Sequence, residues 1–500
     1  MNNQVLILGG GIAGLSAGVY LQKAGIASAI YEKNPVLGGE CVSWRREGYV
    51  IDNCIHWLTG SKKSDTLNAV WREVGAIDET TAFINEPYFY RLHFKDRSLS
   101  FWCDREKARQ EFLACAPEDA KETNALFDAI KRAECVQVPT EKSLAKMGFI
   151  EYMKTGMSMR AMLPVLKTYS HLSIAQLAQK FKNPYLQMMI RGYFNDDYQA
   201  LILITSCAFY TSGTAALPLG GSKGVIDRMA ATYLKLGGEI HLAKPVAKIN
   251  LHQKDAVSIT LISGEVVPCQ AVIAACDPEV TFGTLLDSKF REKRLAKMRN
   301  HQKKDYLVAS CFGVSFGIVG TDDYGFEPGS VSFPCEPFIC GTKPFDLLDV
   351  RLYDADPTLY PQDKRVVRVI ILQGGADYSY WEKLYQDQDA YQEEKERIAT
   401  LVRLRIEAQY PLAKGHLKCI DTYSPVTFHR YCGAYQGSYM AFFQRYRGKT
   451  LNPKNAVPHL HNVFLASQWL SSTGGGLPMA VTSGKFVSAE VTHFLLKSHR

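Results

Sequence analysis

One stretch near the N-terminus, VLILGGGIAGLSAGVYLQKAGIASAIYE over residues 5–32, limits the fold more than any other part of the chain. Residues 5–8 are four apolar side chains in a row and read as a short buried strand. Gly9, Gly11 and Gly14 follow at G-x-G-x-x-G spacing, with Gly18 one helical turn later. Gly9 permits the tight turn out of the strand, and Gly11 lets a pyrophosphate approach the backbone. Gly14 and Gly18 let the helix lie close against the sheet. The helix start, with Ile12 and Ala13, offers free N–H groups and the positive end of its dipole to phosphates. A second strand over residues 29–31 ends at Glu32, where an acid binds both ribose hydroxyls and repels a 2′-phosphate. Glycines at this spacing are weak evidence alone. Strand, glycines, helix, second strand and terminal acid together specify a dinucleotide site that disfavours NADP.

A chain of 500 residues is too long for one simple core, so two domains or one domain with a large insertion are expected. Hydrophobic residues at 46% and charged ones at 22% are in the range of a soluble globular protein. The net charge of +8 is modest for this length, and Lys and Arg are dispersed, which argues against a nucleic-acid partner. The basic run at 291–304 reads as a solvated helix face. Thirteen cysteines contain no C-x-x-C; Cys335 and Cys340, at C-x4-C, lie far from the first unit and read as ordinary thiols in a reducing compartment. There is no basic leader and no apolar run of transmembrane length, so a cytoplasmic location is expected.

After Glu32, the segment GGECVSWRREGYVIDNCIHWLTG begins at Gly38 and Gly39 and contains a strand at 48–52. It resembles the second signature of flavin oxidoreductases related to phytoene desaturase, carotenoid isomerase and retinol saturase, within the amine-oxidase-like flavoprotein superfamily. That superfamily often has Arg after the double glycine. Here the position is Glu40, so Arg45 or Arg46 is the substitute expected to reach the pyrophosphate. Two of the further segments that resemble the family imply cofactor contacts. The first is LPLGGSKGVIDRMAATYLKLGGEIHLAKPVAKINL from Leu217, where the resemblance implies that Val246 contacts adenine through its backbone. The second is the C-terminal NVFLASQWLSSTGGGLPMAVTSGKFVSAEVTHFL. In the family this last unit closes over the ribityl chain and ring, which implies contacts from Gln468, Gly475, Gly476, Leu477 and Pro478.

The implied fold is α/β, with a discontinuous Rossmann-like FAD-binding domain over 1–79, 216–289 and 446–500. An α+β substrate domain is inserted at 80–215 and 290–445. Only one nucleotide fingerprint is present, which favours FAD alone, and no cysteine sits near the C-terminal glycine turn to link it covalently. Expected cofactor contacts in the first two segments are Gly9, Gly11, Ile12, Ala13, Gly14, Glu32, Lys33, Gly38, Gly39 and Arg45. His56 lies in the GGECVSWRREGYVIDNCIHWLTG segment, and His429 and Arg430 in TYSPVTFHRYCGAYQGSYMAF over 422–442, which also resembles the desaturase and isomerase relatives; these three are the catalytic candidates, each with a purely structural reading. His459 and His461 read as loop histidines, and no metal site is expected.

The resemblance implies oxidation, reduction or isomerisation of carbon–carbon bonds in a hydrophobic polyene, isoprenoid or lipid, with the redox partner open. A flavin amine oxidase and a non-enzymatic prenyl-binding protein of the Rab escort type are the alternatives. Met- and aromatic-rich segments between Met147 and Phe194, with Lys154, Arg160, Lys167, Lys180, Lys182 and Arg191, allow either peripheral membrane contact or simple core packing.

Overall fold

The structure, a computed structural model, describes residues 4–302, 304–361, 363–446 and 448–498; the side chains of residues 152, 155, 158 and 498 are not described. Lys303, in the basic run, lies outside those residues. Strand β1 (Val5–Leu8) turns at Gly9 into helix α1 (Ile12–Lys23), and β2 (Ser28–Tyr31) ends at Glu32. Hairpins β3 (Ser43–Arg46) with β4 (Tyr49–Asp52), and β5 (Tyr88–Phe94) with β6 (Arg97–Trp102), follow. A helical stretch includes α2 (Arg105–Cys115), α3 (Ala120–Ala133), α4 (Phe149–Ser158), α5 (Leu163–Tyr169), α6 (Pro184–Arg191) and α7 (Leu201–Thr211). Pro117 divides the helical run expected over 105–134 into α2 and α3.

Helix α8 (Gly221–Lys235) leads to β7 (Glu239–His241) and β8 (Ala271–Ala274). Four long strands come next: β9 (Ser310–Ile318), β10 (Gly329–Cys340), β11 (Lys343–Tyr353) and β12 (Val366–Gln373). The chain closes with α9 (Gln388–Gln409), β13 (Leu417–Tyr423), α10 (Pro425–Cys432), β14 (Val463–Leu465) and α11 (Leu477–Ser498).

Five short strands from distant parts of the chain form one parallel sheet in the order β7-β2-β1-β8-β14. Both faces are covered, which is why β1 and β8 are apolar at every position. Val5, Ile7 and Ile273 face α1, α8 and α11, while Leu6, Leu8 and Val272 face a hairpin carrying Ile249 and Ile259. The second sheet runs β13-β9-β12-β11-β10-β5-β6 and is antiparallel except where β10 meets β5. Its strands alternate. Phe312, Val314, Val350, Val367, Val369 and Ile371 pack on Trp381, Ile398 and Val402, and the intervening residues face the interior of the molecule.

The Met- and aromatic-rich segment divides. Met162, Val165, Tyr169, Tyr185, Leu186, Met189 and Ile190 are buried in a core with α3 and β5, whereas Phe149, Ile150, Met157 and Leu163 are exposed on α4 and at the start of α5.

Two glycines set how closely the parallel sheet and its helices approach. A Cβ on Gly14 would lie 2.0 Å from the Gly9 carbonyl oxygen, and one on Gly484 of α11 would lie 2.6 Å from the Ala13 carbonyl oxygen. Gly18 acts differently from the sequence expectation, because the group it makes room for is the Tyr233 ring of α8 and not the sheet. Overpacking in such contacts costs about 1–3 kcal/mol. Gly484→Ala is therefore expected to lower the unfolding free energy by about that much. Gly156→Ala on the open face of α4, where nothing lies within 4 Å, is expected to raise it by about 0.5–1 kcal/mol. Urea denaturation of the two variants checks the pair.

Candidate active site

A single cavity of about 680 Å³ runs from the C-terminal ends of β1 and β2 to the inward face of the second sheet. Gly9, Gly11, Ile12, Ala13, Glu32, Lys33, Gly38, Gly39 and Val246 line one end. Gly11 is the N-cap of α1 and no side chain caps that helix, so its first-turn N–H groups are left to whatever occupies the cavity. A Cβ on Gly11 would meet nothing closer than 3.6 Å; the open space beside it is the kind of cradle a diphosphate needs. Glu32 is buried and already oriented. It accepts N–H bonds from Gly10 at 2.8 Å and from the Asn34 backbone and side chain at 2.9 Å each, which leaves part of its lone-pair capacity for ribose. The residues fit a dinucleotide.

At the far side of that end, residues 474–476 are three consecutive glycines with φ of +99°, +71° and +83°. Side chains rarely adopt this backbone, and it delivers the N-terminus of α11 to the cavity. The Gly476 N–H donates to Gln468 Oε1 at 2.8 Å, and Gln468 Nε2 donates to Glu40 at 2.7 Å. Gln468, Gly475, Gly476, Leu477 and Pro478 all line the cavity.

The other end is apolar and aromatic. Ile202, Thr205, Ser206 and Phe209 form one face of α7 at helical spacing, joined by Trp57, Tyr193, Phe194, Tyr198, Tyr439 and Phe443. Ile370 and Leu372 of β12 line the same cavity. Between the two ends lies a polar group. Arg351 is paired with Glu86 at 2.6 Å, and Arg368 contacts His56 Nε2 at 2.8 Å. Asp349 accepts from Ser330 at 2.6 Å and Ser332 at 3.0 Å.

His56 is thus the catalytic candidate that lines the cavity. Burial, with Arg368 and Arg351 beside it, holds its pKa well below the usual histidine range. His429 and Arg430 are exposed on the last turn of α10 and do not line the cavity. The His429 ring meets the Ala434 carbonyl at 3.1 Å, and the Arg430 guanidinium stacks on Tyr385 and Tyr431. Arg45 is corrected in the same way: it sits at the exposed end of β3, where strand alternation and the following turn carry it outward. Gly14 serves helix packing and does not line the cavity. Arg351, Arg368, Asp349 and the α7 face were not anticipated. Their signal was a charged residue in the middle of apolar strands, as in VVRVIILQ.

Comparison with known proteins places this geometry. The model of the flavin-containing amine oxidoreductase family matches residues 12–492. The chain belongs to that family. A phytoene desaturase (lycopene-forming) of a Paracoccus strain is 24% identical over 330 residues, 63% of this chain and 62% of that enzyme, under two thirds of its length. A 4,4'-diapolycopene oxygenase of Methylomonas is 24% identical over 98% of each chain. The all-trans-retinol 13,14-reductase of Danio rerio is 20% identical over 96% of this chain and 85% of its own. Among solved structures, an oxidoreductase of Methanosarcina mazei superposes with a TM-score of 0.60 at 14% identity, covering 97% of this chain and 100% of that one. The protein is a flavin oxidoreductase of this fold. Among the described residues no helix is long and apolar enough to cross a membrane, and no cluster of three His, Cys, Asp or Glu side chains is arranged to hold a metal.

Two acids border the nucleotide end. Glu40 lines the cavity; burial and the nearby Asp277 push its pKa up to about 8, against the pull of Gln468. Burial likewise pushes Asp277 up to about 7. An acid with a raised folded-state pKa stabilises the fold below its unfolded pKa, near 4.5 for Glu40, and loses that contribution as pH rises through about 8. The unfolding free energy of the wild type is therefore expected to fall between about pH 4.5 and about pH 8, by at most about 1.4 kcal/mol per pH unit from this group. Glu40→Gln should flatten the profile, which thermal melts across that range will check.

Proposed function

We propose that the protein binds FAD non-covalently and oxidises, reduces or isomerises carbon–carbon bonds of a hydrophobic polyene, isoprenoid or lipid. The observation that carries this reading is the continuity of one cavity, from a dinucleotide cradle at one end to a long aromatic and aliphatic gallery at the other. FAD supplies a two-electron centre that takes up or gives a hydride. Gly9, Gly11, Ile12, Ala13, Glu32, Gly38 and Gly39 would hold its adenosine diphosphate part, with Val246 at the adenine. Gln468, Gly475, Gly476, Leu477 and Pro478 would hold the ring end, where the N-terminus of α11 favours negative charge.

The protein's own work in this reading is placement and exclusion. Tyr193, Tyr198, Phe209 and Tyr439 strip water from a chain and align it, and neutral His56 donates or accepts a hydrogen bond without changing charge. The relatives named above act on lycopene precursors, diapolycopene and retinol according to their names, which agrees with such a gallery. Amine oxidation is disfavoured because Arg351 and Arg368 line the same cavity and would repel a cationic amine.

We also read residues 1–79, 216–289 and 446–500 as one FAD-binding domain and 80–215 with 290–445 as the inserted substrate domain. The parallel sheet draws its strands from the first set and the seven-stranded sheet from the second. The exposed Phe149, Ile150 and Met157, with Lys154, Arg160 and Lys167 among them, support a peripheral contact with anionic lipid, from which an insoluble substrate could be taken.

Two measurements test this. Wild-type protein is expected to release FAD on heating, and Gly11→Val is expected to be colourless. Glu32→Ala should weaken FAD binding by about 1.5–3 kcal/mol. Unchanged flavin occupancy in both variants would refute the assignment. In liposome flotation, binding should require anionic lipid, weaken at high salt and fall when Lys154, Arg160 and Lys167 are changed to Glu. A wild type that stays unbound at low salt would remove the membrane contact.

A further inference from the structure

Arg351 and Arg368 stand directly opposite each other on the adjacent antiparallel strands β11 and β12, both buried, at 6% and 3% exposure, and both lining the cavity. Like charges at facing positions are destabilising unless something compensates them. Arg351 has its compensation, since Glu86 accepts from its Nη2 at 2.6 Å, and the same nitrogen reaches the His56 carbonyl at 3.2 Å. Arg368 has no carboxylate within ion-pair distance among the described residues. It donates to the Asp52 carbonyl and the Tyr353 hydroxyl, and contacts His56 Nε2. All three partners are neutral.

Because a guanidinium only donates, His56 must accept at Nε2 and carry its proton on Nδ1. The nearest acids act on Arg368 only through space, and neither Asp52 nor Asp349 reaches it as an ion pair. Asp52 is engaged by the Ser222 N–H and hydroxyl, and Asp349 by Ser330 and Ser332; burial pushes the pKa of both upward. A buried guanidinium without a counter-ion, exposed to a cavity, is a receptor for an anionic group.

The same strand indicates what is attached to that group. Arg368, Ile370 and Leu372 alternate along one face of β12 and all line the cavity. Two steps of period two carry an apolar wall about 13 Å along the strand from Arg368, in the cavity that Tyr198 and Phe209 also line. A ligand matching this wall has an anionic head and a long apolar body.

We propose that Arg368, flanked by Arg351 and His56, receives the carboxylate of the substrate, so that the molecule acted on is a long unsaturated carboxylic acid and not a neutral hydrocarbon. This rests on the polyene or lipid reading above and narrows it to one substrate class. Arg368 is a positioning and specificity-determining residue in this account, because it holds the carboxylate and takes no part in the bond that changes.

The test uses the flavin-loaded protein and a matched pair of probes, geranylgeranoate and its methyl ester, read by perturbation of the flavin absorbance. Wild type should bind the acid about 10- to 100-fold more tightly than the ester. Arg368→Gln should abolish that preference while leaving ester affinity within about twofold, the uncharged contacts being shared. Arg368→Lys keeps the charge without the planar fork, should retain part of the preference, and serves if the glutamine variant does not fold. Equal binding of acid and ester by wild type, binding of neither, or a preference that survives Arg368→Gln would overturn the proposal. So would a changed flavin midpoint potential with the preference intact, since the guanidinium would then serve the cofactor. If lycopene perturbs the flavin where the acid does not, the carboxylate assignment fails and the polyene reading stands. A wild type without flavin defeats both.

Discussion

The close approach of α1 to the ends of the parallel strands is the constraint on which the rest depends. Gly14 sits where a methyl group would overlap the Gly9 carbonyl, and Gly484 brings α11 onto the backbone of the same helix. Through these two contacts, segments about 470 residues apart in sequence meet at one helix N-terminus. Loosening either would move the first-turn N–H groups of α1 away from the Glu32 carboxylate, which its bonds to Gly10 and Asn34 hold in place. The nucleotide end of the cavity is therefore made by backbone packing, and few of its side chains carry charge.

The substrate end is built on the opposite logic. The second sheet uses strict alternation to separate an aliphatic face, packed on α9 and its neighbours, from a face that lines the cavity with Arg351, Arg368, Asp349, Ile370 and Leu372. Placing two guanidinium groups on that face is expensive in an interior of low dielectric constant. Evolution of a site for neutral hydrocarbons alone gives no reason to keep them, and their company of Glu86 and His56 marks a place where polarity is used.

Much of the nucleotide end was legible in the sequence. Strand, glycines and acid occupy one short local unit, and local units carry their own pattern; β1, α1, β2 and the C-terminal glycine turn all lie where the residues indicate. The polar centre was not legible, because it is assembled by register between strands β11 and β12 and by contacts with Glu86 and His56, hundreds of residues distant. His429 and Arg430 illustrate the same limit from the other side. Their motif resembles the family's, yet the helix turn they occupy aims them at solvent and at Tyr385. Glu40, in place of a frequent Arg, could be read as a departure, but its pairing with Gln468 required the fold.

The central claim is that a flavin and an unsaturated hydrophobic chain meet in this one cavity. Anaerobic single turnover tests it most directly. Photoreduced and oxidised protein are each mixed with a panel of polyenes, polyenoic acids and primary amines, with flavin absorbance and product mass followed together. The account predicts that flavin colour changes with a polyene or polyenoic acid and that the product gains or loses two hydrogens, or is an isomer of unchanged mass with reduced protein. Rapid bleaching by amines, with every polyene recovered unaltered, would contradict it.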